Sequence, residues 1–197
     1  MMAETIELSR PRLANVISDN VKDGSIAYIL NKPYNFLLYQ FSISMGETIF
    51  RAVMNAVFGG MVIWWLVGPP PALLGWAFAI LALFGTWIMN FCITCLIGLS
   101  AFLVEEVSPF MWIYQKFVFI LGGFLIPLDF YPDWLQSIAK ALPFAYMVYG
   151  PSKLFVAPTV DLLVNIVFMQ FVWIVVFGSI LVIAYQRGVA YLTVNGG

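Results

Sequence analysis

Long runs of apolar residues constrain this chain more than any other feature of its sequence. Four runs occupy residues 48–67, 74–99, 109–126 and 162–184. Each is close to the length of about 20 apolar residues that a helix needs to cross a bilayer. Hydrophobic residues make up 62% of the chain and charged residues only 10%, whereas a soluble domain carries roughly 25% charged residues. The sequence therefore predicts an all-α membrane protein, a polytopic helical bundle with four transmembrane helices.

A more polar head, residues 1–40, precedes the transmembrane region, residues 41–197. Within the head, apolar residues recur at helical spacing, which predicts a short amphipathic helix. These residues are Leu13, Val16, Ile17 and Val21. Gly24 ends this helix, and Ser25 can cap a second short helix that must stop before Pro33. Because the head is too polar to span a membrane, we expect it to lie at the membrane surface.

The segment 127–161, between the third and fourth spans, predicts two short helices. Pro132 opens the first helix and Pro143 ends it, while residues 150–151 (Gly-Pro) stop the second, at 144–149. Each piece is too short to span. We interpret them as amphipathic or re-entrant helices that form an outer hairpin, and an ordinary ordered loop is the alternative. The hairpin is favoured because a plain loop would expose many aromatic residues to water.

Lysine and arginine counts predict the orientation of the chain, since these residues accumulate on the cytoplasmic side. With the head inside, the turn at 68–73 and the segment 127–161 lie outside. Of nine Lys and Arg residues, only Lys140 and Lys153 are then outside. Four spans return the tail, residues 185–197, to the inner side. We therefore expect both termini to be cytoplasmic.

A few polar residues fall within or beside the apolar spans. Glu47, Arg51 and Asn55 are spaced along one helix face, and Glu before Arg at this spacing favours an ion pair. They form either a contact between the bundle and the head or a snorkelling pair at the interface. Asn90 and Gln170 fall near the middle of their spans, where polar side chains are costly. We prefer interhelical hydrogen bonds for these two residues, with a substrate pathway as the alternative.

The composition argues against several classes of function. The sequence contains no histidine, which excludes His-based acid–base catalysis, a Ser-His-Asp triad and His-ligated metals. Cys92 and Cys95 have a CxxC spacing, but they lie within an apolar run, where packing is the favoured interpretation over redox or metal chemistry. No P-loop motif occurs, and the net charge of −1 gives no reason to expect nucleic-acid binding. We expect no catalytic residue, no metal and no cofactor.

The head also contains a motif that resembles one in a known family. The stretch Gly24-Ser25-Ile26, Ile29-Leu30 and Pro33 resembles the G-T-L-E-x-L-L-x-x-P motif of ABC-2-type transporter permeases. In that family the motif lies in the cytoplasmic loop between the second and third transmembrane helices, at the coupling helix that meets the ATPase. Ala27 occupies the usual acidic position of the motif.

The resemblance implies roles for particular residues in this sequence. The expected coupling residues are Asp23, Gly24, Ser25, Ile26, Ile29, Leu30 and Pro33. Glu47, Arg51 and Asn55 are expected to give this region structural support. The segment before the last span looks like the family's outer hairpin, and the residues that carry this likeness are Pro127, Asp129, Pro132, Trp134 and Pro143. The tail is similar to that of a subgroup of bacterial half-size permeases.

By this resemblance, the chain is the permease subunit of an ATP-driven ABC exporter in a bacterial plasma (inner) membrane. The implied partners are a cytoplasmic ABC ATPase and a second permease subunit, identical or different. Family members usually have six spans, and the four spans here correspond to the third to sixth. The alternative is therefore a truncated or accessory membrane protein without transport activity of its own. The sequence does not choose a substrate.

Overall fold

The computed structural model describes residues 6, 12–68 and 73–195, and these residues form helices and turns without a strand. The helices are α1 (Leu13–Lys22), α2 (Ser25–Leu30), α3 (Phe36–Val67), α4 (Leu73–Leu99), α5 (Ser108–Leu121), α6 (Asp133–Ala141), α7 (Pro143–Met147), α8 (Tyr149–Val156) and α9 (Val160–Asn195). Two short 3₁₀ turns cover Ser100–Phe102 and Leu128–Phe130. The prediction of an all-α membrane protein is confirmed.

Three helices of the described part, α3, α4 and α9, are long and apolar enough to cross a membrane. The prediction of a fourth full span at 109–126 is corrected, because α5 has 14 residues and ends at Leu121. At 1.5 Å per residue, α5 is about 21 Å long, less than the hydrocarbon thickness of a bilayer. Gly123 follows with a φ of 71°, a left-handed conformation that ends a helix.

Two helices extend beyond their predicted spans. The first spanning helix begins at Phe36 rather than near residue 48, because the Asn35 side chain caps it by accepting a hydrogen bond from the Leu38 N–H (3.1 Å). It therefore crosses the predicted boundary at residue 40. The last helix continues through the predicted tail as far as Asn195. The predicted turn at 68–73 falls mostly on residues outside the described part, as does the Gly-Gly end of the tail.

The helix α4 lies at the centre of the bundle. In its most apolar window 61% of the residues are buried, compared with 17% for α9 and 6% for α3. Gly85 of α4 packs against Gln170 of α9, and Gly188 of α9 packs against Phe102, just beyond the end of α4. Residue numbers rise together along both helices, so α4 and α9 run parallel. The large exposed apolar side chains of α3 fit a helix that faces lipid or another membrane protein.

The segment between α5 and α9 turns back into the bundle. Helix α6 follows Pro132, as predicted, and α7 begins at Pro143. The Met147 carbonyl accepts a hydrogen bond from Thr86 Oγ1 (3.1 Å), near the middle of α4. Helix α8 then runs along α4 towards the N-terminal end of that helix, where Phe155 lies against Gly75. The predicted stop at 150–151 is wrong, because Pro151 lies in the first turn of α8, where its missing N–H costs no helical hydrogen bond.

The contact between α4 and α8 gives a test of this packing. A Cβ on Gly75 would lie 2.5 Å from the carbonyl oxygen of Phe155, so Gly75→Ala must push the two helices apart. We expect it to lower the free energy of unfolding by about 1–3 kcal/mol. Thermal unfolding in detergent can be followed with a thiol-reactive dye, because both free cysteines are buried.

Gly46 provides the matched control. It lies in α3, and a Cβ added there would have no other atom within 4 Å, so Gly46→Ala meets no steric barrier. We expect Gly46→Ala to be neutral or to stabilise the helix by about 0.5–1 kcal/mol. Equal unfolding temperatures for Gly75→Ala and the wild type would contradict the close approach of α8 to α4.

Candidate functional site

The head is docked against the C-terminal end of α4, the end at Leu99. Ile17 and Ala14 of α1 are buried and lie over Gly98, where a Cβ would come within 3.0 Å of the Ile17 side chain. Because Gly98 has no side chain, α1 approaches the backbone of α4 closely. Leu13, Leu99 and other apolar residues complete the buried cluster around this contact. The head is therefore part of the packed structure rather than a separate lobe.

The turn between α1 and α2 is held by its own polar residues. Gly24 has a φ of 76°, which favours glycine and ends α1 as predicted. Asp23 Oδ1 accepts a hydrogen bond from the Ser25 N–H (2.8 Å), and the hydrogen bonds from Ser25 lower the pKa of Asp23. The Ser25 hydroxyl donates to Asn20 Oδ1 (3.1 Å). Ser25 is therefore the first residue of α2 rather than its cap: Gly24 is the N-cap residue, and the Asp23 carboxylate accepts the Ser25 N–H.

The predicted coupling residues divide into two groups around α2. Ile26 is 3% exposed and packs into the buried cluster beneath the head, and Ile29 and Leu30 are half-buried beside it. Asp23, Gly24 and Pro33 are exposed. The first group holds α2 on the bundle, and only the second group is accessible to a partner.

Tyr28 adds a feature that the sequence analysis missed. Its side chain is 71% exposed at the outer face of α2, and Lys32 Nζ lies 4.8 Å from the centroid of its ring. A large aromatic ring held by a cation is a frequent anchor in protein interfaces. The signal available in the sequence was the position of Tyr28, two residues after the buried Ile26 and so on the opposite side of a short helix.

An ion pair ties the head to the loop between α4 and α5. Lys22 Nζ lies 3.2 Å from Glu106 Oε2, and the Ser108 hydroxyl donates to Glu106 Oε1 (2.6 Å). These interactions lower the pKa of Glu106 to about 2, and the hydrogen bond from the Ser108 side chain is the largest cause. Ser108, whose place before a proline is typical of a helix cap, is instead engaged with Glu106. No sequence pattern links Lys22 with Glu106, because they lie far apart in the chain.

The three supporting residues predicted on α3 share one face. Glu47 accepts a hydrogen bond from Arg51 in an ion pair of half-buried side chains. Asn55 lies one turn further along the same face and is also half-buried. The structure thus contains the predicted pair near the start of the membrane-spanning part of α3.

A buried polar network joins α4, α9 and the segment of α6–α8 (residues 133–156), which turns back into the bundle and is called the re-entrant segment below. Gln170 is 2% exposed, and its Nε2 donates to the Ala82 carbonyl (2.9 Å) and to the Tyr146 carbonyl (2.9 Å). It also lies 3.3 Å from Thr86 Oγ1. One amide therefore links three segments at the middle of the bundle. The bilayer core contains no water that could replace these hydrogen bonds.

Asn90 makes a second buried contact, one turn beyond Thr86 on α4. The Tyr114 hydroxyl of α5 donates to Asn90 Oδ1 (2.7 Å), and both side chains are buried. Asn90 and Gln170 thus lie on α4 and α9 with their polar atoms directed at neighbouring segments. This geometry matches interhelical hydrogen bonding.

The segment predicted to form the outer hairpin carries a third polar cluster. Asp129 Oδ1 accepts hydrogen bonds from the Tyr149 hydroxyl (2.6 Å) and from Lys153 Nζ (3.1 Å), and these lower the pKa of Asp129. Pro127 precedes the 3₁₀ turn that contains Asp129. Of the other predicted hairpin residues, Trp134 is exposed, and Pro132 and Pro143 start α6 and α7.

Together, the apolar spanning helices and the docked head define a multi-pass membrane protein. A family model for ABC-2 family transporter protein matches residues 4–196, and the chain belongs to this family. No curated protein matches the chain. No solved structure matches it either. Membership identifies the chain as the membrane component, a permease, of an ABC transporter.

The Gln170 network yields a prediction about stability. Gln170→Leu keeps the volume but removes every hydrogen bond to the Ala82 and Tyr146 carbonyls, so we expect a loss of about 1–3 kcal/mol in the free energy of unfolding. Hydrogen exchange at 143–148 should rise, since this segment loses its attachment. Gln186→Leu, an exposed site on the same helix, is the control and should change neither. Unchanged exchange in Gln170→Leu would contradict the assigned attachment.

The Glu106 interactions predict a pH dependence. The pKa of Glu106 is lowered from 4.5 to about 2. Its contribution to the stability of the folded state is therefore complete above pH 4.5 and disappears as the pH falls towards 2. We expect Glu106→Gln to lower the unfolding temperature slightly at neutral pH. The difference from the wild type should shrink in acid and in high salt.

The neighbouring Glu105 serves as control for this measurement. It is exposed and forms no ion pair with any described residue. Glu105→Gln should unfold at the wild-type temperature across the same pH range. If Glu105→Gln and Glu106→Gln behaved alike, the link between Lys22 and Glu106 would carry no stabilisation.

Proposed function

We propose that this chain is the transmembrane subunit of an ATP-driven exporter whose ATP is hydrolysed by a separate cytoplasmic ABC ATPase. Family membership supports the permease assignment. The observation that carries the further step is the docking of the head on the central helix, with α1 against Gly98 and Lys22 paired with Glu106. A surface that receives mechanical work must be fixed to the parts that move.

The proposed coupling surface consists of the exposed residues around α2. It contains Asp23, Gly24, Tyr28 and Pro33, and the half-buried Ser25 borders it. Ile26, Ile29 and Leu30 transmit displacement into the bundle because they pack in the cluster beneath the head. Glu47, Arg51 and Asn55 stiffen the first part of α3, which follows the coupling surface in the chain.

Displacement of the head reaches the membrane through α4. Helix α1 contacts the C-terminal end of α4. Helix α4 in turn contacts α9 through Gly85 and the re-entrant segment through Thr86. Closure of two ATPase subunits against the coupling surfaces then rocks the bundles between inward-open and outward-open states. The sequence has no P-loop motif, so the proposal assigns P-loop binding of ATP to the partner ATPase.

A second permease subunit belongs to this proposal. The helix α3 has only 6% of its apolar window buried, so most of its surface is available to lipid or to another subunit. That subunit is either a second copy of this chain or a different permease. The Lys and Arg distribution supports cytoplasmic termini. The bacterial inner membrane is proposed from the resemblance of the tail to that of bacterial half-size permeases.

Co-purification with an ABC ATPase tests the proposal. The tagged chain is co-expressed with candidate ABC ATPases, and retained ATPase and its hydrolysis rate are measured in reconstituted vesicles. We expect a stable complex that is lost when 24–33 is replaced by a flexible Gly-Ser linker of equal length. Tyr28→Glu should weaken it by about tenfold or more, as for an aromatic interface anchor.

Phe130→Glu is the matched control, because Phe130 is 78% exposed but lies at the opposite end of the bundle. It should leave ATPase retention unchanged. A complex that survives both the linker replacement and Tyr28→Glu would refute the coupling surface. A chain that retains no ABC ATPase would favour an accessory membrane protein without transport activity of its own.

A further inference from the structure

A cavity of about 190 Å³ lies at the end of the bundle remote from the head. The re-entrant segment forms one wall and the first turns of α9 form the other. The polar side chains that line it are Lys140, Tyr146, Tyr149, Lys153 and Asn165. Leu162 and Ile166 of α9 form an apolar side. No carboxylate is among the described residues of this lining.

The two lysines converge on this cavity from different helices. Between Lys116 and Arg187 the sequence contains only two cationic residues, Lys140 and Lys153. Lys140 ends α6, whereas Lys153 lies in α8, and both line the same cavity. Both lysines of this part of the chain therefore line one small space, and Lys153 also forms an ion pair with Asp129.

Both ammonium groups keep donors available for a ligand. Lys140 Nζ donates to Gln136 Oε1 (2.8 Å), which leaves two of its three N–H donors. Lys153 Nζ contacts Asp129 Oδ1 (3.1 Å) and the Tyr149 hydroxyl (2.5 Å), which leaves one. The Asn165 amide adds further donors, since it is exposed and has no hydrogen bond to a described residue.

The cavity wall is fixed without a ligand. The Tyr146 hydroxyl donates to the Lys140 carbonyl (2.8 Å), and the Tyr146 carbonyl accepts from Gln170 Nε2 (2.9 Å). Gly150 packs directly on Ile166, where a Cβ would lie 3.2 Å from that side chain. Binding here needs little ordering of the protein, so most of the interaction energy is available for affinity.

We propose that this cavity binds a phosphate group through Lys140, Lys153 and Asn165. Tetrahedral phosphate oxygens accept several hydrogen bonds at once, and lysine is a common phosphate ligand. The source is either an anionic phospholipid headgroup or free inorganic phosphate. Tyrosines around the cavity are typical of the headgroup level of a membrane, and the half-buried Leu162 offers an apolar contact for an acyl chain. This binding is independent of the proposed coupling to an ATPase.

Native mass spectrometry of the full chain in detergent tests the site. Phosphatidylglycerol, phosphatidylcholine or inorganic phosphate is added in separate titrations, and bound ligand is counted. We expect phosphatidylglycerol to be retained in preference to phosphatidylcholine. The double variant Lys140→Gln/Lys153→Gln should bind it roughly tenfold more weakly, as expected when charge-assisted hydrogen bonds are lost.

The control is Lys32→Gln, which removes a lysine from the head at the opposite end and should bind like the wild type. Asn165→Asp is a second variant that places a negative charge in the lining without touching the pair of Lys153 with Asp129, so it should also weaken binding. It remains informative if the double variant fails to fold.

Each possible result either supports or overturns the proposed phosphate site. Retention of phosphatidylglycerol that falls in the cavity variants but not in Lys32→Gln supports a lipid headgroup. Retention of inorganic phosphate alone, with the same dependence on the variants, supports the phosphate site with a free anion as its source. Equal binding by the wild type, the double variant and Asn165→Asp overturns the proposal, and so does an equal loss in Lys32→Gln.

Discussion

The structure depends on close backbone packing along α4. Three glycines of this helix have other groups packed directly against them. Ile17 of the head packs on Gly98, and Gln170 of α9 packs on Gly85. The carbonyl of Phe155 packs on Gly75. In lipid, apolar surfaces gain little by burial against one another, so helices are held by close contact and by hydrogen bonds. Small residues on three faces of one helix allow the head, the last helix and the re-entrant segment to share a single support.

Hydrogen bonds add to close packing in attaching the shorter segments to the bundle. Gln170 and Thr86 together attach the re-entrant segment at the middle of the bundle, where its short helices would otherwise leave carbonyl groups facing lipid. Asn90 attaches α5 in the same way through Tyr114. The polar residues near the middle of the predicted spans are therefore the ones that hold non-spanning segments inside the membrane.

The candidate site was only partly predictable. The motif around Gly24 and Pro33 located the head, and helical spacing found the pair of Glu47 with Arg51. Neither pattern separated the buried Ile26 from the exposed Tyr28, because which side of α2 faces the bundle depends on how α1 docks. The pair of Lys22 with Glu106 and the convergence of Lys140 with Lys153 join residues that are distant in the chain, so no local pattern reveals them.

The sequence by itself determined the membrane class, the existence of three long apolar helices, the break at Gly24 and the helix that follows Pro132. These features are local, since they follow from hydrophobic length and from the backbone limits of glycine and proline. Tertiary structure decided that α5 is short, that α8 runs through Pro151, and that α4 is central. The physical reason is that the sequence of an apolar segment does not show whether lipid or protein will cover it. Only the packing of the helices determines which of the two does.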